Sequence, residues 1–288
     1  MRIKYSPIFA ESWNVAYRNT PKGSILNDNY QTEFIVIPNS KKYWAADPMA
    51  FEYKGEIYIF AELYDYKLCR GTIGYTKLEN KRFGKWNQVI VEDFHMSYPN
   101  LFIKDNEVYM VPETSGANEL IIYKAIEFPA KWKKHKTIKA GVKWVDTTFW
   151  PSENDRITAY TETVSDPVQD YKLVFDKEYN LISEELIATD DNTLRCGGRI
   201  FEYNGNVVRV CQDCRVKYGG ALYFRFCDKG SLTEKKSVHI TPEDLAYDKK
   251  ILLDGMHTYT ALDNMEVIDI KTRRFNLINL FFRIKNKL

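Results

Sequence analysis

The sequence predicts an all-β fold, a five-bladed β-propeller with four-stranded blades around a central channel. Three observations predict it. A motif returns about every fifty residues, each copy has a two-residue turn in its middle, and further strand-like runs fill the gaps between copies.

The first clear copy runs from Asp47 to Glu62 and the second from Tyr98 to Glu113. Laid over one another without a gap, Pro48 matches Pro99, Phe51 matches Phe102, Gly55 matches Asn106, Tyr58 matches Tyr109 and Glu62 matches Glu113. The third copy, Asp146 to Glu162, is one residue longer. The fourth keeps the spacing through Phe201, Gly205, Val208 and Gln212. The fifth, His257 to Asp269, is the most divergent and turns at Asp263-Asn264. A gapless match of this length argues against a β-sandwich whose strands resemble each other by accident.

Each copy reads as strand, tight turn, strand. Apolar and aromatic residues flank Lys54-Gly55, Asp105-Asn106 and Asn204-Gly205, dipeptides that suit two-residue hairpin turns. Further strands are expected at Thr72–Thr76, Glu119–Tyr123 and Ala221–Arg225. Five blades of four short strands need about 250 residues, which 44–269 nearly supply. All 288 residues are therefore read as a single domain, with the blade repeats over 44–269 and a basic, apolar tail over 270–288.

Composition narrows the function classes. With 41 basic and 39 acidic residues the charge balance predicts no nucleic-acid partner. The 20 Tyr, 16 Phe and 6 Trp suit sheet cores, and flat rings also stack on the apolar faces of sugars. The five cysteines include one CxxC, Cys211 to Cys214, without a second pair at zinc-ribbon spacing; they are read as reduced and mostly buried, with no metal and no cofactor. No signal peptide is read at the start and no stretch approaches twenty apolar residues, so a cytoplasmic protein is expected.

The tail fits two readings. Lys271, Arg273, Arg274, Arg283, Lys285 and Lys287 alternate with seven apolar residues and no acid. That pattern suits peripheral contact with the inner, anionic face of a membrane. It equally suits a last element packed on the propeller rim.

Innermost propeller strands surround the channel, so equivalent positions in successive blades converge at one mouth. At the start of the copies stand Asp47, Tyr98, Asp146, the Arg195–Arg199 segment and His257. A varied polar ring on rigid strand ends is what a site needs, and charges gathered there shift each other's pKa values. Asp47 leads straight from Trp44 into an apolar strand, which favours function over a turn cap. Asp146 fits either a site or a turn. Arg195 and Arg199 flank two glycines and offer planar donors to an anion such as phosphate, or else form interblade salt bridges. Glu62 and Glu113 end the second strand of their copies, far from the ring if that strand is straight. Gln212, Asp213 and Tyr218 are placed on the rim or behind the ring.

These residues carry a family resemblance. Ala46-Asp47-Pro48, the run from Ser97-Tyr98-Pro99 to Pro112-Glu113-Thr114, Arg195 to Tyr218, His257-Thr258 and Val267-Ile268-Asp269 resemble the N-terminal domain of plant glucosamine inositolphosphorylceramide transferases and bacterial relatives, over about residues 13–269. That domain is in turn similar to the five-bladed propellers of glycoside hydrolase family 43. The plant enzymes have a separate transferase domain downstream, so their activity is not carried over by name.

The hydrolase resemblance implies a general base in blade one, matched by Asp47, and an aspartate in blade three that tunes the acid, matched by Asp146. The expected acid in blade four is replaced by Arg195-Cys196-Gly197-Gly198-Arg199. Arginine cannot protonate a leaving oxygen, so simple hydrolysis is not the leading expectation. An arginine pair suits a departing diphosphate, which needs charge stabilisation more than a proton.

The leading expectation is therefore a carbohydrate-active enzyme that transfers sugar from an activated, phosphate-bearing donor in cell-surface glycan biosynthesis. Asp47, Asp146 and His257 are the candidate catalytic residues. Trp44, Tyr98, Glu113, Arg195, Arg199, Gln212, Asp213 and Tyr218 are the candidates for holding a carbohydrate or sugar-nucleotide substrate. A family-43-type hydrolase, with Glu113 or another acid as donor, and a non-catalytic glycan-binding propeller are the alternatives.

Overall fold

In a computed structural model, 9–27, 32–151, 156–229, 233–246, 253–275 and 284–285 are the described residues. The chain folds as five small antiparallel sheets arranged as the blades of a propeller. Blade one holds Tyr43–Tyr53, Glu56–Asp65 and Arg70–Glu79, with Arg82–Phe83 and Asn87–Ile90 on its outer edge. Blade two runs outward through Ser97–Lys104, Glu107–Glu113, Glu119–Glu127 and Lys131–Ala140. Blade three is Trp144–Pro151, Arg156–Thr163, Gln169–Asp176 and Leu181–Thr189; blade four is Phe201–Tyr203, Asn206–Asp213, Ala221–Cys227 and Glu234–Ile240.

The ring closes by pairing the two ends of the chain. Met265–Phe275 pairs antiparallel with the N-terminal strand Phe9–Arg18 over ten residue pairs, from Phe9↔Phe275 to Arg18↔Glu266. Ile35–Val36 lies outside them, and Leu253–Gly255 and Tyr259–Leu262 share the inner edge. The repeat does not reveal this closure, because Phe9–Arg18 contributes one outer strand and no hairpin of its own. Residues 270–275 thus belong to blade five, and Lys271 is buried opposite Trp13. The rest of the basic tail, 276–283 and 286–288, lies outside the described residues.

Turn chemistry explains the hairpins. Lys54-Gly55 (φ 53° and 76°), Asp105-Asn106 (52° and 60°) and Asn204-Gly205 (48° and 74°) all take the left-handed conformation that a two-residue turn requires. Between blades, apolar side chains interlock. Phe51, Tyr58 and Phe60 meet Met110, Tyr123 and the Phe128–Trp132 pair between blades one and two; Val208, Phe224 and Phe226 meet Tyr259 and Ile268 between blades four and five. Blades three and four meet through a polar seam instead, where the Arg209 guanidinium lies 3.4 Å from the centre of the Tyr160 ring. The five cysteines form no disulfide; Cys196, Cys211 and Cys227 are buried.

One backbone device recurs. In blades one to three the innermost strand breaks register after Ala46, Ser97 and Val145, and the next residue is left-handed: Asp47 at φ 50°, Tyr98 at 47° and Asp146 at 49°. Such conformations are uncommon for residues other than glycine, and a bulge of this kind redirects a side chain. The first residue of each of the first three repeat copies is therefore the bulge residue. Blade four replaces it with Gly198 at φ 140°, where the Tyr259 carbonyl occupies the space a side chain would need.

Candidate active site at the propeller axis

The bulges bring together four of the five aligned positions. Asp47, Asp146, Arg195 and His257 interact electrostatically in one buried cluster, in the company of Glu62, Glu113, Glu162 and Asp269. Asp47, Asp146 and His257 are 4%, 2% and 2% exposed, so water screens these charges weakly.

His257 is locked in place. Its Nδ1 lies 2.6 Å from Asp269 Oδ2, its ring stacks on Trp13 at 3.9 Å, and Tyr218 meets it edge-on at 5.3 Å. Its Nε2 faces Asp47 Oδ1 at 3.7 Å. Asp269 also ties blade five to blade one: Oδ1 accepts from the His257 and Thr258 amides and Oδ2 from the Asp47 amide. Burial alone would drive the imidazole neutral, but Asp269 and Asp47 outweigh it and raise its pKa.

Asp47 accepts from Thr258 Oγ1 at 2.9 Å. Burial pushes its carboxyl up to about 6, with Asp146 and Asp269 adding to the rise and His257 opposing it. Burial likewise pushes Glu162 up to about 7 against the pull of Arg195, and lifts Glu62 well above the ordinary carboxylate range. Glu62 Oε1 is buried without a hydrogen-bond partner. The Gly71 amide donates to His95 Nδ1, which leaves the imidazole proton on Nε2, 3.6 Å from that oxygen.

Arg195 forms the opposite wall. Its Nε lies 2.6 Å from Asp146 Oδ2, with Glu162 at 3.6 Å and Glu113 at 3.8 Å. Burial works against its charge, but Asp146 and the other acids more than compensate. Gln212 Nε2 donates to Asp146 Oδ2 and the Cys196 carbonyl, both at 2.8 Å, and so fixes the aspartate from behind. Glu113 accepts from Ser97 and Ser115.

Several sequence-predicted residues fall elsewhere. Tyr98 is fully buried; its hydroxyl sits between Thr148 Oγ1 at 2.7 Å and the amide and carbonyl of Gly198 at 2.7 and 3.0 Å, a tie between blades rather than a substrate contact. Arg199 does not pair with Arg195. It donates to the carbonyls of Ala50 (3.4 Å) and Leu101 (2.7 Å), equivalent positions of blades one and two, so it braces the channel wall. Trp44 stacks on Tyr64 across its hairpin. Asp213 binds Arg215 and His239 on the outer side of the 214–220 loop.

Glu62, Glu162, Asp269, His95 and Trp13 were missed as site residues. The first three end their repeat copies, so the repeat did mark them. Each bulge slips the pairing and sets Glu62 opposite Ala46, Glu113 opposite Ser97 and Glu162 opposite Val145, beside the ring and not far from it. Trp13 lies outside the repeats and carries no signal.

Asp47, His257 and Asp269 offer ligand atoms within 4.8 Å of one another, a spacing that could hold a metal ion. Both Asp269 oxygens already accept two hydrogen bonds each, and His257 Nδ1 is one of those donors. Hydrogen bonding accounts for this geometry without an ion.

Fold and site define a five-bladed propeller with a buried acid–base cluster at its axis. The chain belongs to the family described as glucosamine inositolphosphorylceramide transferase 1, N-terminal, whose model matches residues 7–243. It is similar to glucosamine inositolphosphorylceramide transferase 1 of Arabidopsis thaliana (28% identical over 214 residues) and of Oryza sativa subsp. indica (26% over 207). Those matches cover 68% of this chain but only 27% and 28% of the relatives, so the chain spans little more than a quarter of their length. Among solved structures it resembles an α-L-arabinofuranosidase from Podospora anserina (TM-score 0.61, 10% identical, 82% of this chain and 94% of that one). It also resembles a GH43_1 enzyme from Xanthomonas citri (TM-score 0.58, 11% identical, 82% and 88%). At such identities the likeness is one of fold.

Proposed function

We propose that the axial cluster binds a sugar and catalyses displacement at its anomeric carbon, transferring it to an acceptor hydroxyl during glycan assembly. Asp47 is the general base: ionised above about pH 6, it takes the proton of the attacking hydroxyl. Glu162, in blade three beside Arg195 and held near 7, is the acid that protonates the leaving oxygen. Gln212 fixes Asp146, Asp146 holds Arg195, and Arg195 keeps Glu162 oriented. Glu62 Oε1, which has no hydrogen-bond partner and faces His95 at 3.6 Å, is the acceptor offered to a sugar hydroxyl. The observation that carries this reading is a buried cluster from blades one, three, four and five, in which Asp47 faces His257 at 3.7 Å and Arg195 reaches Asp146 at 2.6 Å and Glu162 at 3.6 Å. Family membership supports transfer over hydrolysis, which differs only in that water replaces the acceptor.

A phosphate-bearing donor is the second reading, favoured by the transferase names of the relatives. It asks Arg195 to leave three carboxylates for the anion, inside a site rich in negative charge. The proposed place of action is the cytoplasmic face of a membrane, supported by the basic tail; Lys271, Arg273 and Arg274 are drawn into blade five, which leaves Arg283, Lys285 and Lys287 as candidates beyond it.

Two panels test the function. Nitrophenyl glycosides and sugar nucleotides are offered to the protein with and without alcohol acceptors, and products and melting temperatures are measured. Nitrophenol release with a new glycoside product is expected. A melting rise with sugar nucleotides alone would favour the phosphate-bearing donor, and saccharide binding without turnover would make the propeller a binding module.

A further inference from the structure

A cavity of about 340 Å³ opens between blades four and five behind the 214–220 loop. Its volume falls within the range of small-molecule sites, about 300–1,000 Å³. The loop is shared with the axial site. Tyr218 points inward, edge-on to His257 and 5.4 Å from the Arg195 guanidinium, while its neighbours Val216, Lys217 and Gly220 line the outer cavity. Lys271 Nζ donates to the Tyr218 carbonyl at 3.1 Å and holds that partition in place.

The lining has a defined chemistry. Asp213, Glu243 and Asp254 bring carboxylates, and Lys217 reaches Asp254 at 3.0 Å. His239 lies 3.0 Å from Asp213 and stacks on Tyr223 at 4.4 Å, which presents an imidazole edge to the cavity. Pro242, Leu253 and Val216 add apolar surface, and Val216 is 93% exposed. Glu243 as an acceptor for hydroxyls and Lys217 as a donor, beside apolar patches that cover ring C–H groups, match a polyhydroxylated ring. Asp213 is paired with Arg215 and Asp254 with Lys217, so Glu243 adds an uncompensated negative charge and an anionic ligand is disfavoured.

We propose that this groove is a saccharide subsite that holds the next sugar, or the acceptor, of a chain whose reacting sugar lies at the axis. The proposal rests on the sugar-binding reading of the axial site and adds to it a direction: the glycan leaves the axis over Tyr218, between blades four and five. The ligand class is a neutral oligosaccharide of at least two rings.

An array of neutral oligosaccharides, one to four sugars long, tests it on the whole chain. Calorimetry then follows the best length series with wild type, Glu243→Lys and Val216→Asp. Both positions are exposed, and melting curves check that each variant is folded. The expected result is that wild type binds the longer members more tightly than the monosaccharide. Both variants should lose about tenfold on the longer members and leave monosaccharide affinity unchanged. Equal affinity of wild type and variants for the longer members would overturn the groove while leaving the axial site standing. A wild type that binds no saccharide of any length would overturn both.

Discussion

Arg195 Nε lies 2.6 Å from Asp146 Oδ2, and through that contact blade four supplies the cation for acids from blades two and three. Removing one partner of a buried pair leaves the other uncompensated, at a cost of about 3–5 kcal/mol. Arg195→Ala should therefore lower stability by about that amount in urea unfolding near pH 8, and by less near pH 5, where the freed carboxyls take up protons. A loss below about 1 kcal/mol at both pH values would show that the arginine is free for a ligand.

The pH dependence of turnover follows from two groups. Asp47 must be ionised and Glu162 protonated, so kcat/KM should rise through about pH 6, fall beyond about pH 7 and give a narrow bell. Glu162→Gln should abolish the alkaline limb. It should also cost about 10²–10⁴-fold on glycosides with poor leaving groups, and far less on nitrophenyl glycosides. A pH–rate profile of both proteins checks this.

Glu62 gives a stability effect of opposite sense. Its folded pKa lies well above its unfolded value because of burial first and then the charges of Asp47, Glu113 and Asp146. The folded state holds a proton that the unfolded state releases, so Glu62 costs increasing stability as pH rises above its unfolded pKa. Glu62→Gln removes that titration. Its melting temperature should exceed wild type by a margin that grows from about pH 5 to about pH 8. A margin independent of pH would show that Glu62 is ionised in the folded protein.

Trp13 links ring closure to the site. Its stack on His257 and its place in the closing strand predict that Trp13→Ala costs about 3–5 kcal/mol in denaturant unfolding. Trp13→Phe, which keeps a ring over the imidazole, should recover most of it.

The repeat made the propeller legible because every blade needs the same hairpin turns and the same apolar faces, as Lys54-Gly55 and Asn204-Gly205 show. It also placed Asp47, Asp146, Arg195 and His257 in one cluster. What it could not give was side-chain direction. Tyr98 and Asp146 occupy equivalent left-handed positions, yet the phenol extends into the interblade core while the carboxylate stays at the mouth. Arg199 looked like a partner of Arg195, but the intervening Gly198 at φ 140° turns the chain, and the two arginines find different walls. The repeat marked the second acid ring at the ends of its copies, but a register slip at a bulge leaves no mark in residue types, so its place beside the first ring stayed hidden.

The sharpest test replaces the proposed base without disturbing its backbone. Asparagine tolerates the left-handed conformation at φ 50°, so Asp47→Asn should fold normally. Turnover of the best nitrophenyl glycoside, compared between wild type and Asp47→Asn at equal saccharide occupancy, is the measurement. The expected result is a loss of at least about a hundredfold with affinity retained; equal turnover in the two proteins would contradict an acid–base site at the propeller axis.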